Sequence, residues 1–325
     1  MIPALHRTIV VTPVYEDVEA SSRLFQELAR QFGDDCFCVA VDDGSVRQPL
    51  GLDGFRNAGI EGLVLKLRRN VGHQRAISIG LGYASEFVGP GQRVVVMDSD
   101  GEDVPATVPH LLEALNDSEV DVVVAQRKNR VETIRFKAFY AVYKRLFSLM
   151  TGRTIAFGNF MALKDHAVRR LVSMQELSIH VAGAVLASKL RTRALPLDRG
   201  PRYAGQSKMN FVGLALHGFK ALMVFAEDVL VRVGIACALI ASLSVGGAIA
   251  AVILKLIGFS TPGWFSVALG ILVLMLLQTG ALALMTLMLT GVVRGGTVTS
   301  AVTYREFIER VLETSPGSHS SPASR

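Results

Sequence analysis

The sequence predicts an α/β domain with a mostly parallel sheet and helices on both faces, followed by a two-helix hairpin that crosses a membrane. Three observations carry this. Short β-branched apolar runs alternate with segments of helical spacing through the N-terminal part of the chain, and acidic clusters sit where those runs end. Near the C-terminus the stretches 229–257 and 265–293 are almost uncharged: the second has no charged residue and the first has none from Val233 to Leu254. A bilayer-crossing helix needs about 20 such residues.

The elements follow in order. Residues 8–14 form a continuous apolar run, as expected of a parallel strand covered on both faces. Residues 20–32 place Leu24, Leu28 and Phe32 at helical spacing. Runs 36–41, 62–67, 93–97 and 120–125 read as further strands. Residues 74–87 and 104–115 read as helices, the latter with Pro105 in its first turn, where a missing N–H costs nothing. This alternation implies a doubly covered parallel sheet, in which ligands bind beyond the carboxyl ends of the strands. Residues 134–150 and 209–227 are amphipathic and are predicted to lie in the membrane interface. The expected division is a water-facing domain over 1–208, an interface helix over 209–228, the hairpin over 229–293 and a tail over 294–325. The Ser/Pro-rich end of that tail is expected to be disordered.

The chain of 325 residues has a net charge of +6. A basic protein beside a bilayer points to anionic headgroups or phosphates. No nucleic-acid motif occurs, so nucleic acid is excluded as a partner. Cys36 and Cys38 share a predicted strand, with their side chains expected on opposite faces. With Cys237 they read as small core residues in a reducing compartment, not as a disulfide or zinc site. Met1–Arg7 is no apolar signal segment. Lys208, Lys220, Arg232, Arg294, Arg305 and Arg310 flank the hairpin on the domain side, whereas only Lys255 lies near its turn. The positive-inside bias therefore puts the domain and both termini in the cytosol, on the inner or plasma membrane.

Asp98-Ser99-Asp100 ends a predicted strand. Residues i and i+2 of a strand point the same way, so the two carboxylates suit one hard divalent cation, Mg²⁺ or Mn²⁺, with positions left for phosphate oxygens. Glu102 adds a third oxygen donor. Asp42-Asp43-Gly44-Ser45 also ends a strand, where a carboxylate can accept from a base N–H or a ribose hydroxyl. Tyr15, after the first strand, can stack on a base. No Gly-x-Gly-x-x-Gly follows that strand, so a dinucleotide is not indicated. The basic run Arg191, Arg193, Arg199, Arg202 and Lys208 reads as a phosphate clamp. His73 and His180 can be bases, but lone histidines are more often structural.

Together these positions resemble family-two inverting glycosyltransferases of the GT-A fold. The matching elements are Thr12-Pro13-Val14-Tyr15-Glu16-Asp17, Asp42-Asp43-Gly44-Ser45, Arg69-Asn70-Val71-Gly72-His73-Gln74, Asp98-Ser99-Asp100-Gly101-Glu102-Asp103-Val104-Pro105 and Arg202-Tyr203-Ala204-Gly205-Gln206-Ser207-Lys208. The branch it resembles contains dolichyl-phosphate mannose synthases and bacterial polyprenyl-phosphate glycosyltransferases. The resemblance implies that Pro13, Tyr15, Asp17 and Asp42 or Asp43 contact the nucleotide. It implies that Asp98 and Asp100 serve diphosphate and metal with Glu102 a further ligand, and that Arg127, Arg202 and Lys208 meet phosphates. Asp98, Asp100 and Arg202 are the expected catalytic set. Glu102 stands where this branch usually has Gln, which adds negative charge beside the metal.

The implied reaction moves a sugar from a UDP- or GDP-linked donor to a polyprenyl phosphate at the cytosolic membrane face. A homo-oligomer is admitted but not required. Two alternatives stand beside it: transfer to a lipid or glycan hydroxyl, with Asp165, Glu176 or Asp198 as base, and a non-catalytic membrane scaffold of the same fold.

Overall fold

A computed structural model describes residues 6–127, 134–203, 211–259, 263–295 and 301–314. The strands are β1 (Thr8–Val14), β2 (Cys36–Asp42), β3 (Glu61–Leu67), β4 (Arg93–Val96), β5 (Val122–Arg127), β6 (Met161–Lys164), β7 (Thr192–Leu197) and β8 (Ile308–Glu313). They form one sheet in the order β7-β5-β6-β4-β1-β2-β3-β8. β1 pairs in parallel with β2 and β4, β2 with β3, and β5 with β7, while β6 runs antiparallel between β4 and β5. Helices α1 (Val18–Phe32), α2 (Asp53–Ala58), α3 (His73–Phe87), α4 (Val108–Leu115), α6 (Asp165–Val172), α7 (Val181–Ala187) and α8 (Phe211–Val224) accompany the sheet; α5 (Ile134–Thr151) lies between β5 and β6 in sequence.

Strand alternation explains the two cores. Ile9, Val11, Val39, Val41, Leu63 and Leu65 face Ile77 and Leu81 of α3 together with α6 and α7. Val10, Ala40, Val64 and Val95 face Leu24, Phe25 and Leu28 of α1 and Leu111 of α4. Phe25 stacks on Phe55 of α2 with ring centroids 4.1 Å apart. Cys36 and Cys38 are free, buried, and both in this second core. That corrects the expectation of opposite faces, because two steps along a strand return a side chain to the same side.

The strands, α1, α3 and α4 legible in the sequence form within a few residues of their expected bounds. β6, β7, β8, α2, α6 and α7 were not foreseen. β6 is four residues long, and β7 carries Pro196, a residue confined to sheet edges; at the sheet margin it is tolerated. β8 lies in the segment read as a tail. It pairs antiparallel with β3, and Arg68 N–H donates to the Phe307 carbonyl at 2.9 Å. Tyr304 packs against Gly82 and, with Arg305, reaches Glu86.

The chain divides into two compact units. One comprises the sheet and its helices, including α8. The other comprises residues 141–154 and 225–297, so part of α5 belongs with the hairpin. In this second unit α9 (Ala226–Leu256) and α10 (Trp264–Gly295) are both long and apolar enough to cross a membrane. A Cβ on Gly247 would meet Leu272 at 3.1 Å, so the small residue sets the helix–helix approach. Leu243 and Met288 are each 75% exposed. A face this apolar is stable against hydrocarbon, not water. Arg232 caps α5 through the Leu149 carbonyl, and Lys255 sits 4.1 Å above the Phe265 ring at the hairpin turn.

Arg191 and Arg193 stand away from the ends where ligands bind. Arg191 pairs with Asp121 at 2.8 Å and with Glu119 at 2.9 Å, and Arg193 pairs with Asp117 at 2.6 Å, all at the amino ends of β5 and β7. Hydrogen bonds from Arg191 hold the buried Asp121 carboxyl well below the usual carboxylate range. Arg191→Ala should therefore destabilise the fold at pH 7, because it leaves the buried Asp121 carboxylate without its guanidinium partner. A carboxylate depressed in the folded state stabilises above its unfolded pKa and loses that contribution as pH falls. Unfolding of the detergent-solubilised chain should show the difference from wild type shrinking below about pH 4.

Candidate active site

β1 and β2 end level, Val14 beside Asp42, and β4 ends at the same edge of the sheet with Val96 level with Val11. The predicted clusters therefore meet at one end of the sheet. The acidic loop after β4 is built on itself: Asp98 N–H donates to Asp103 Oδ2 at 2.8 Å, and Glu102 N–H to Asp100 Oδ1 at 3.0 Å. Gly101 turns the loop at φ +90°, and a Cβ there would strike the Tyr203 ring at 2.7 Å. Glycine is the residue that meets both demands.

A second loop, after β7, lies on this one. Gly200 N–H donates to the Glu102 carbonyl at 3.0 Å and Tyr203 N–H to the Asp100 carbonyl at 2.8 Å. Arg202 places Nη2 2.9 Å from Asp100 Oδ2 and donates from Nε to Glu102 Oε1 at 3.0 Å. Arg199 pairs with the other Glu102 oxygen. Burial, then the Asp98 charge, pushes the Asp100 carboxyl up, opposed by Arg202, Arg199 and His73. Burial lowers the Arg199 guanidinium while Asp98 and Asp100 favour its charge.

Asp98 and Asp100 are hard oxygen donors under mutual repulsion, which a divalent cation relieves, and in that respect they fit Mg²⁺ or Mn²⁺. Glu102 is engaged by two guanidiniums. Among the described residues, no three His, Cys, Asp or Glu side chains are placed to hold one ion. The donor set that fits is a pair of carboxylates, with remaining positions open to water or phosphate oxygen.

The other acidic residues shape the loops around this centre. Asp42 accepts from Ser45 N–H and Leu50 N–H, each at 3.0 Å. Asp43 accepts from Val71 N–H at 2.7 Å and Gly72 N–H at 3.0 Å, binding the loop before α3. Gly44 (φ +70°) passes so close to Arg69 that a Cβ would lie 2.4 Å from its backbone. Glu16, itself at φ 49°, accepts from the N–H groups of Val46, Arg47 and Gln48, and those bonds lower its carboxyl. Asp17 caps α1 by accepting from Ala20 N–H at 3.3 Å. Tyr15 is 44% exposed at the mouth, whereas Pro13 is buried in β1 and its carbonyl accepts from Ser99 Oγ. Arg127 closes β5 with its side chain outside the described residues, as is Lys208.

Sequence reasoning had not joined the histidines to this centre. His73 opens α3 with Nε2 3.2 Å from Asp98 Oδ1 and 3.0 Å from Asn159 Nδ2. Gln74 donates to Asn159 and accepts from Val181 N–H at 2.7 Å, linking the site to α7. His180 caps α7, accepting from Gly183 N–H on Nδ1, and its Nε2 lies 3.1 Å from Nε2 of His217 on α8. His73 stands in the Arg69–Gln74 element that carries the resemblance, and His217 on one face of the amphipathic segment 209–227, both usable signals; Asn159 had none.

The chain belongs to glycosyl transferase family 2, whose model matches residues 9–173. It is 28% identical over 222 residues to an undecaprenyl-phosphate 4-deoxy-4-formamido-L-arabinose transferase of Enterobacter sp. (strain 638), covering 66% of this chain and 65% of that one. The chain thus spans about two thirds of the length of such curated relatives, 65% in this case. It is also 27% identical over 281 residues to an uncharacterised glycosyltransferase of Synechocystis sp., covering 82% of this chain and 84% of that one. Among solved structures, glucosyl-3-phosphoglycerate synthase from Mycobacterium tuberculosis, crystallised with Mg²⁺ and UDP, aligns with a TM-score of 0.49 at 14% identity, over 69% of this chain and 79% of that one.

Burial and the neighbouring His217 push His180 down to about 3. The unfolded imidazole titrates near ~6.5, so the unfolded chain binds the extra proton between these values. The stability is fully present above about pH 6.5 and falls below it. Thermal unfolding should show His180→Asn flattening the loss that wild type suffers between pH 7 and 5.

Proposed function

We propose that this chain is a membrane-bound inverting glycosyltransferase that moves a sugar from a nucleoside-diphosphate donor to a polyprenyl phosphate. The observation that carries this reading is the meeting of Arg199 and Arg202 with Asp100 and Glu102 at the carboxyl ends of β1 and β4. A centre that joins two anions, a donor diphosphate and an acceptor phosphate, needs cations beside its carboxylates. The name of the Enterobacter relative supports the acceptor class, and the two apolar helices support a substrate held in a bilayer.

Asp98 and Asp100 would hold Mg²⁺ or Mn²⁺, which when bound neutralises charge on the departing diphosphate. The residues of the chain do the rest. Tyr15 stacks on the base, and the loops tied by Glu16, Asp42 and Asp43 enclose it; Asp17 contributes through its cap on α1. Arg202, with Arg127 and Lys208, orients phosphate oxygens. The acceptor oxygen attacks the anomeric carbon as the bond from that carbon to the diphosphate breaks, and the nucleoside diphosphate leaves with the electron pair. A phosphate monoester has a second pKa near ~6, so its oxygen is already anionic at neutral pH and no general base is required. The competing reading, transfer to a hydroxyl, needs such a base. Of its candidates, Asp165 follows Lys164, which is level with Arg93 at the amino end of β4, remote from Asp98, and it pairs with Arg169.

The return of β8 to the sheet supports an even number of membrane crossings, because a chain that leaves a domain and rejoins its sheet ends on the side where it began. The lysine and arginine bias supports a cytosolic domain and cytosolic termini. A reporter in the turn between α9 and α10 should be periplasmic or luminal, and one at the C-terminus cytosolic. An external C-terminus would overturn the hairpin.

Purified full chain given Mg²⁺, labelled nucleotide sugars and a polyprenyl phosphate should produce labelled lipid, and Asp100→Ala should abolish it. Arg202→Lys keeps the charge but not the planar fork, and should lose about tenfold or more, the scale of a hydrogen bond to a charged group. Labelled lipid from Asp100→Ala at the wild-type rate would contradict the proposal.

A further inference from the structure

Tyr203 has a setting that the phosphate-binding roles of its neighbours do not explain. Its hydroxyl donates to Glu27 Oε2 on α1 at 2.6 Å, and the Arg23 guanidinium lies 4.5 Å from its ring centroid. Arg23 also pairs with Glu27 at 3.5 Å. The ring sits on Gly101, and the Tyr203 N–H holds the Asp100 carbonyl. The acidic loop is thus held from two sides: the Arg199 and Arg202 guanidiniums on its carboxylates, and the Tyr203 ring on its backbone.

We propose that Tyr203, latched to Glu27, is a positioning residue that holds Arg202 on Asp100 and, with Arg199, on Glu102, so that Arg202 guards the metal donor Asp100 until a diphosphate arrives to take the guanidiniums over. This rests on the function proposed above. Asp100 cannot give its full charge to a guanidinium and to a metal ion at once, so its pair with Arg202 opposes metal binding in the absence of substrate. Guanidiniums released by the metal remain beside the incoming phosphates only if their loop stays docked. Arg199 and Arg202 have backbones on either side of Gly200, whose N–H is fixed to the Glu102 carbonyl, and the latch at Tyr203 fixes the other end. Glu102 adds a carboxylate to the cluster, and the second guanidinium, from Arg199, balances it.

The latch predicts shifts of opposite sign. Free Mn²⁺ can be counted by its electron paramagnetic resonance signal with the detergent-purified full chain, and UDP and GDP binding can be measured by calorimetry at saturating Mn²⁺. Tyr203→Ala should bind Mn²⁺ alone more tightly, by about fivefold, the worth of one partly exposed ion pair. The same variant should bind the nucleoside diphosphate more weakly by a similar factor. Tyr203→Phe keeps the ring on Gly101 and should shift both affinities in the same directions by less. Glu27→Gln should match Tyr203→Phe, and these two conservative variants serve if the alanine variant fails to fold. Loosening of the site as a whole would weaken both affinities together, and that result, or no change in either, overturns the latch. Wild type that binds neither Mn²⁺ nor UDP or GDP would overturn the proposed function along with it.

Discussion

The carboxylates of Asp98, Asp100, Glu102 and Asp103 lie between positions 98 and 103 at the end of one strand, and the rest of the domain answers to that crowding. Like charges so close disfavour one another's ionised forms. The fold meets each differently. Asp103 is spent on the Asp98 backbone N–H. Asp98 faces His73, and Asp100 and Glu102 face Arg202 and Arg199. The cations come from α3 and from the loop after β7, so the local electrostatic demand dictates where distant segments dock.

A parallel sheet makes this possible. β1, β2 and β4 bring their carboxyl ends into register, and the loops that follow must be shaped without a strand ladder. Glu16, Asp42 and Asp43 do so by accepting backbone N–H bonds, two or three apiece. Charge-assisted bonds of this kind are stronger than neutral ones. The same chemistry that suits a carboxylate to a nucleotide thus suits it to a loop, and residue type does not distinguish the two. Asp42 and Asp43, which the sequence marks as ligand contacts, use both carboxylate oxygens to hold loops, and Asp17 uses Oδ1 to cap α1.

What was legible in the sequence has a common character. The buried strands β1 to β4 are centred on short apolar runs, the hairpin is two nearly uncharged spans, and Asp98 and Asp100 follow a strand closely. Each is a local pattern. What was not legible depends on distant partners. β8 is an exposed, charged edge strand whose pairing with β3 spans most of the chain. Arg191 and Arg202 belong to one basic run, yet Arg191 pairs with Asp121 at the opposite end of the sheet from Arg202. Arg199 stood in that run, but its bond to Glu102 follows from a close approach of Gly200 to the Gly101 carbonyl that spacing does not reveal.

The proposed reaction turns on an anionic acceptor that needs no base. Its most direct test is a comparison of polyprenyl phosphate with the corresponding polyprenol as acceptor for the purified full chain, with the linkage and anomeric configuration of the product read by mass spectrometry and nuclear magnetic resonance. Transfer to the phosphate alone is expected, giving a phosphodiester at the anomeric carbon with configuration opposite to that of the donor. Comparable transfer to polyprenol, or a product whose phosphate remains a monoester while the sugar sits on a hydroxyl, would contradict it.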